Sequence, residues 1–229
     1  MPEPTIDLTN RYHTSEYMRG GPDAWRINRN ATPYRAIPVH HTAGWYGETL
    51  GEHASQKQEI AQIDSMARDH FARFGIGPAY VWTIFPSGRG YAIGKVGTHR
   101  AHTKGRNPET GERWNVEGCA VVFFGNFETE RPTPAALATF EQIVGEIRGW
   151  PFTVPDAPIH PHGLIPTVNS QGVAFSQVTS CPGRHLLAQL RAEPEPEPPP
   201  QIDVEAANVA LDKIEEETAE LRSLIGGAA

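Results

Sequence analysis

Three short stretches of the 229-residue chain carry side chains suited to binding a metal ion. They are IPVHHTAG with His40 and His41, APIHPHG with His160 and His162, and VTSCPGRHL with Cys181. Imidazole nitrogen and thiolate sulfur are the ligands that borderline-soft Zn²⁺ prefers. One histidine from each pair plus Cys181 makes three ligands and leaves a fourth position for water. That is the plan of a catalytic zinc site and not of a closed structural one. Neighbours on a strand point to opposite faces, so only one of His40 and His41 can serve. His160 and His162 are two apart and could share a face, although Pro161 interrupts a ladder there. Each pair taken alone also reads as an ordinary strand end or surface loop, and none of the blocks has the compact spacing of an HExxH helix.

Pro182 and Gly183 fix the entry to RHLLAQL, a short helix start whose N-terminus would favour a thiolate at Cys181. Cys119 lies in the apolar run CAVVFFG and reads as an inert core residue. Two cysteines make no disulfide framework, and the start MPEPTIDLTN lacks the basic and apolar parts of a secretory signal. The expectation is therefore free thiols in a protein made without export.

These residues need elements to hold them. Apolar positions Ile60, Ile63, Met66, Ala67 and Phe71 recur at helical spacing across 55–71. Thr133-Pro134 is an N-cap followed by proline at the first helical position, and Leu137, Phe140, Ile143, Val144 and Ile147 continue as one face. Strand-like runs cover 36–42, 79–85, 91–93 and 119–124, with PSGRG joining the second and third as a hairpin. CAVVFFG is apolar on both faces and reads as a central strand covered twice. The alternation predicts an α/β domain over 1–192, with a single mixed central sheet flanked by helices.

The chain's formal charge of −7 is uneven. Residues 193–229 hold ten acids and two bases, against seventeen acids and eighteen bases before them. Residues 193–200 alternate Pro and Glu, a semi-rigid extended spacer. Val204, Ala207, Leu211, Ile214, Thr218, Leu221 and Ile225 then follow heptad spacing in 201–229. A lone helix of that length is marginal in water, so the stripe needs a partner: a second copy in a short coiled coil, or the body of the protein. The acidic balance argues against nucleic acid. No run approaches the roughly 18 apolar residues of a membrane span.

In order, IPVHHTAG, GPAYVWTIFPSGRGYAIG, RAHTKGRN, CAVVFFGNF, PTPAALATFEQIV, IHPHG and TSCPGRHL resemble the type 2 N-acetylmuramoyl-L-alanine amidases. That family shares its fold with the peptidoglycan recognition proteins, and the likeness is greatest to the bacteriophage amidases. It spans about residues 37–190. The resemblance implies zinc-dependent hydrolysis of the amide between N-acetylmuramic acid and L-alanine, with peptidoglycan as partner. It implies His40, His162 and Cys181 as ligands, Tyr80 and Thr179 as catalytic donors, and His102, His41 and Asn107 on the substrate side. It further implies a phage endolysin, held in the host cytoplasm until the membrane opens. A non-catalytic recognition module is the alternative, and Cys181 weighs against it. The tetrahedral oxyanion of amide hydrolysis needs hydrogen-bond donors, a role that neutral hydroxyls suit. Tyr80 also reads as a core aromatic, since strand parity would put it on one face with Trp82. Two stretches exceed the family's usual length, 107–118 and 163–180, and both could shape the substrate groove. The glutamate that the cell-wall recycling branch carries in the CAVVFFG strand is absent.

Overall fold

The computed structural model describes residues 5–191. The expected spacer at 193–200 and heptad stripe at 201–229 lie outside the described residues. Among the described residues, six strands form one mixed sheet: β1 (Ile6–Asp7), β2 (Ile37–His41), β3 (Trp82–Ile84), β4 (Gly90–Ala92), β5 (Val121–Phe123) and β6 (Ile159–Pro161). Their order is β1-β4-β3-β5-β2-β6. The β3–β4 hairpin is antiparallel and the other pairs in this sheet are parallel. The helices are α1 (Thr9–Tyr12), α2 (Gln56–Phe74), α3 (Trp114–Glu117), α4 (Pro134–Gly149) and α5 (Arg184–Arg191).

Pleat parity sorts the core into two layers. Ile37, Val39, Val121, Phe123 and Ile84 pack with Phe140, Ile143, Val144 and Ile147 of α4. Val122, Phe124, Tyr91 and Ile93 pack with Ile63, Met66 and Ala67 of α2. The strand in CAVVFFG is thus covered on both faces, and residues 119–124 are all buried.

Local signals set the helix ends. At α2, Ser55 accepts from the Gln58 amide at 3.4 Å and the Gln58 side chain accepts from the Ser55 amide at 2.9 Å, a reciprocal capping box. Gly75 ends the helix in the left-handed region at φ 78°. At α4, Thr133 Oγ1 accepts from the Ala136 amide at 3.1 Å and Pro134 begins the helix. Each such cap contributes about 1 kcal/mol.

Both strand prolines find tolerable positions. Pro38 pairs with His160 one residue before the ladder from β2 to β5 begins at Val39. Pro161 ends β6, which lies at the sheet edge where a missing amide leaves no neighbour unpaired. The short β1, α1 and β6 have no counterpart among the expected elements, since two- to four-residue segments carry too little periodicity to read.

Candidate metal centre

β2 delivers two histidines to opposite faces. His40 turns toward the α2 side, where its ring meets Tyr80 and His102 at centroid distances of 5.0 and 5.6 Å. His41 turns the other way, its Nδ1 accepting from the Phe127 amide at 3.3 Å. His162 begins a 3₁₀ turn (His162–Leu164) directly after β6 and stands 4.4 Å from the His40 ring. Cys181 is supplied by the loop before α5, with Sγ 3.7 Å from His40 Nδ1. The ligand atoms of His40, His162 and Cys181 all lie within 4.8 Å of one another.

This set fits a tetrahedral cation. Ligand bonds of ~2.05 Å to nitrogen and ~2.3 Å to sulfur require an N–S edge of about 3.6 Å. Burial holds the His40 imidazole well below its ordinary pKa and His162 down to about 4, so both keep lone pairs for a metal. The Cys181 sulfur is fixed by the His41 amide, which donates to it at 3.4 Å. Thr179 Oγ1 accepts from the Cys181 amide at 3.1 Å, and the Gly163 amide donates to the Cys181 carbonyl at 2.8 Å. Gly163 is required by that approach, since a Cβ there would lie 2.8 Å from the Thr179 carbonyl oxygen. The two loops that carry His162 and Cys181 are therefore locked to each other.

Two readings from the sequence need correction. A helix N-terminus does not lower the Cys181 thiol, because α5 starts three residues later at Arg184. In the metal-free chain burial instead pushes the thiol up to about 12, with the His41 amide pulling the other way. Tyr80 does not share a face with Trp82 either. β3 begins at Trp82, and Tyr80 lies in the bend before it, so pleat parity does not extend to it. Trp82 packs on the α4 side while Tyr80 faces His40 across the cleft.

His102 is buried against the same cluster, its Nδ1 2.9 Å from Thr103 Oγ1. Gly118 makes room for it, since a Cβ there would lie 2.8 Å from His102 Cε1. Asn107 is not brought into the cleft. It is buried beneath the 107–118 segment, donating to Glu117 Oε2 at 2.8 Å and accepting from the Glu109 amide at 3.0 Å. His160 is likewise turned away, against the edge of Trp114.

The cleft around the candidate metal ligands is walled by Trp45, Tyr46, His70, Arg73, Tyr80 and Thr179. It continues into a neighbouring hollow of about 490 Å³ bounded by Lys104, Asn115, Gln177 and Val178. The two long segments meet here: Trp114 Nε1 donates to the Pro166 carbonyl at 2.8 Å. Residues 163–180 contribute Thr179, Gln177 and Val178 to the groove, and 107–118 contributes Asn115.

Sequence reasoning missed His70. The Ala79 amide donates to its Nδ1 at 3.1 Å, so that nitrogen is unprotonated and Nε2 bears the hydrogen. Nε2–H then donates to Tyr46 Oη at 2.9 Å, and Tyr46 donates onward to Asp69 Oδ2 at 3.1 Å. One neutral imidazole thus ties the backbone beside Tyr80 to the opposite wall. Its helical position inside an apolar stripe resembles simple packing. We expect His70→Leu to cost ~2–4 kcal/mol in denaturant unfolding, because it strands a buried amide and a phenol. A loss below about 1 kcal/mol would show that the relay carries little.

Burial holds His70 and His162 down to about 4 and His102 to about 3, from an ordinary value of 6.5. The unfolded chain takes up these protons below about pH 6.5, while the folded chain takes them up only near pH 4 or lower. Stability of the metal-free protein is therefore full above pH 6.5 and is lost progressively as pH falls toward 4, by ~3 kcal/mol for His70 alone. Unfolding free energies flat between about pH 7 and 4.5 would contradict this.

A mixed α/β sheet of this order, with a His-His-Cys cluster in a cleft beside it, is the fold shared by peptidoglycan-recognition proteins and N-acetylmuramoyl-L-alanine amidases. The relatives in sequence and the neighbours in structure are members of that group. The chain is 25% identical over 175 residues to a peptidoglycan-recognition protein of Drosophila simulans, covering 76% of this chain and 82% of the relative. Peptidoglycan recognition protein-LE, solved in complex with tracheal cytotoxin, superposes with a TM-score of 0.62 at 19% identity, over 83% of this chain and 94% of that one. N-acetylmuramoyl-L-alanine amidase LysC of Clostridium intestinale superposes with a TM-score of 0.51 at 16% identity, over 83% and 96%. No family profile matches the chain.

Proposed function

We propose that this protein is a zinc-dependent N-acetylmuramoyl-L-alanine amidase acting on peptidoglycan. The observation that carries the reading is the convergence of His40, His162 and Cys181 within 4.8 Å at the floor of an open cleft. When bound, zinc supplies Lewis acidity that polarises the scissile carbonyl and acidifies a water. The remaining work falls to the chain's own groups. Tyr80 keeps its proton at neutral pH, since burial raises its pKa, and so can donate a hydrogen bond to a developing oxyanion. Thr179 uses its oxygen to accept from the Cys181 amide, and its own hydrogen is left to donate into the cleft. His102 stays neutral beside His40 and adds no repulsion to the cation site. The outer walls, with exposed Trp45 and Arg73 over its ring at 5.5 Å, offer a stacking surface and a cation to a bound chain.

The reading extends to a phage-type lytic enzyme waiting in the host cytoplasm, because its sequence blocks resemble those of the bacteriophage amidases. Self-association through the 201–229 stripe is part of the same proposal, and light scattering with and without 193–229 tests it. The decisive experiment for the activity is mass spectrometry of digested peptidoglycan. Release of an intact lactyl-muramic end together with a free L-alanine amine supports the amidase. Retention of peptidoglycan with no new ends, at full zinc occupancy, would make the protein a binding module instead.

A further inference from the structure

Two guanidinium groups lie deep in the domain with no carboxylate in direct contact among the described residues. Arg29 is 7% exposed and Arg100 is 2% exposed. Among the described residues no carboxylate lies within salt-bridge distance of either. Glu117, whose charge reaches Arg29, is already engaged by Arg35, Asn107 and Thr110. Arg29 donates through Nη1 to the carbonyls of Thr32 and Val116, at 3.2 and 2.6 Å, and lies 3.8 Å over the Tyr34 ring. Arg100 donates to the carbonyls of Pro78 and Lys95. Carbonyls satisfy the direction of these bonds but leave the net charge, and a buried uncompensated charge is costly. The Nε atoms of both arginines and the Tyr34 hydroxyl are buried with no hydrogen bond of ordinary geometry among the described residues.

Arg29 differs from Arg100 in lining an open concavity of about 550 Å³. Arg26, Asn28, Asn30 and Gly97 share its wall, and none of its lining residues belongs to the metal cleft. Asp23, the acid beside Arg26, is 3.5 Å away across two highly exposed side chains, a contact worth little.

We propose that this concavity is a second binding site, for a phosphate oxyanion, with the Arg29 guanidinium as its floor and Arg26, Asn28 and Asn30 as rim donors. Two cations match the charge of roughly −1.5 to −2 that a phosphate monoester carries, whereas a carboxylate brings one. With Nη1 spent on two carbonyls and Nε buried, Nη2 is the Arg29 group left to give a charge-assisted hydrogen bond to an oxyanion, and side-chain amides add neutral donors. The volume leaves space for an ester substituent, so inorganic phosphate and a phosphate carried on a larger molecule share the recognising chemistry.

The test is titration of the full chain with inorganic phosphate at constant ionic strength, read by backbone amide shifts and by thermal unfolding. The expected result is saturable binding in the low-millimolar range, shifts centred on Asn28, Asn30 and Gly97, and a rise in Tm that chloride does not give. Arg29→Gln should weaken binding by at least about tenfold. Because that change also alters a buried group of the fold, Arg26→Ser on the exposed rim is the second variant, expected to weaken binding by about threefold with amide hydrolysis unchanged. Glycerol phosphate binding as tightly as inorganic phosphate assigns the site to an esterified ligand, and markedly weaker binding assigns it to the free ion. Acetate binding more tightly than phosphate, a response that never saturates, or shifts confined to the metal cleft would each overturn the proposal.

Discussion

On the proposed zinc-amidase reading, Cys181→Ser is expected to empty the candidate metal centre and to slow amide hydrolysis by on the order of 10³-fold while the domain stays folded. The reasoning starts from what the substitution spares. The loop carrying residue 181 is held by backbone bonds, from Gly163 N–H to the 181 carbonyl and from the 181 amide to Thr179 Oγ1, and serine retains both. Only the sulfur changes. A serine hydroxyl stays protonated at neutral pH and is a poor ligand for zinc, whose third position would then be vacant. His162→Ala removes a different corner and should give the same paired loss. Zinc content by atomic absorption, turnover on a muropeptide and a circular dichroism spectrum separate loss of metal from loss of fold. Full activity in either variant, or after exhaustive chelation, would end the zinc reading.

The layered α/β plan was readable because its signals are physical and local. The Ser55 and Thr133 caps, the apolar faces of α2 and α4 and the doubly apolar run at 119–124 each follow from periodicity or capping chemistry. Opposite facing of His40 and His41 followed from the pleat alone. The choice between His160 and His162 did not. It depends on β6 ending at Pro161, so that His162 is released into a turn toward Cys181 while His160 stays against Trp114. Parity does not reach Tyr80 because its strand starts three residues later than its β-rich sequence suggests. Asn107 was assigned to the substrate side by block likeness, but Glu117, distant by ten residues, holds it in the interior. His70 could not be read at all, since its role lies in two hydrogen bonds to residues 24 and 9 positions away. Periodicity reports which face a side chain takes, whereas partners across the fold decide what it does there.

Tyr80→Phe should separate binding of the metal from its use. The ring lies 5.0 Å from His40 and 5.4 Å from His70 by centroids, so phenylalanine keeps both contacts and the cleft wall. The ligand set is untouched, and zinc content should equal that of the parent protein. What is lost is one hydroxyl hydrogen at the place where, in the proposed reaction, amide attack would build negative charge on oxygen. Removing a single oxyanion donor typically costs about 10²–10³ in turnover, and Thr179 remains as a second donor, so we expect ~10² in kcat. KM should change little, because the interaction strengthens only as the oxyanion forms. The same variant distinguishes a donor from a base. Burial raises the phenol's pKa, so the phenolate is scarce at neutral pH and the pH–rate profile should keep its shape as its height falls. A kcat within about twofold of the parent would remove Tyr80 from the chemistry. A lower kcat with a shifted basic limb would instead make it the group that takes the proton from the attacking water.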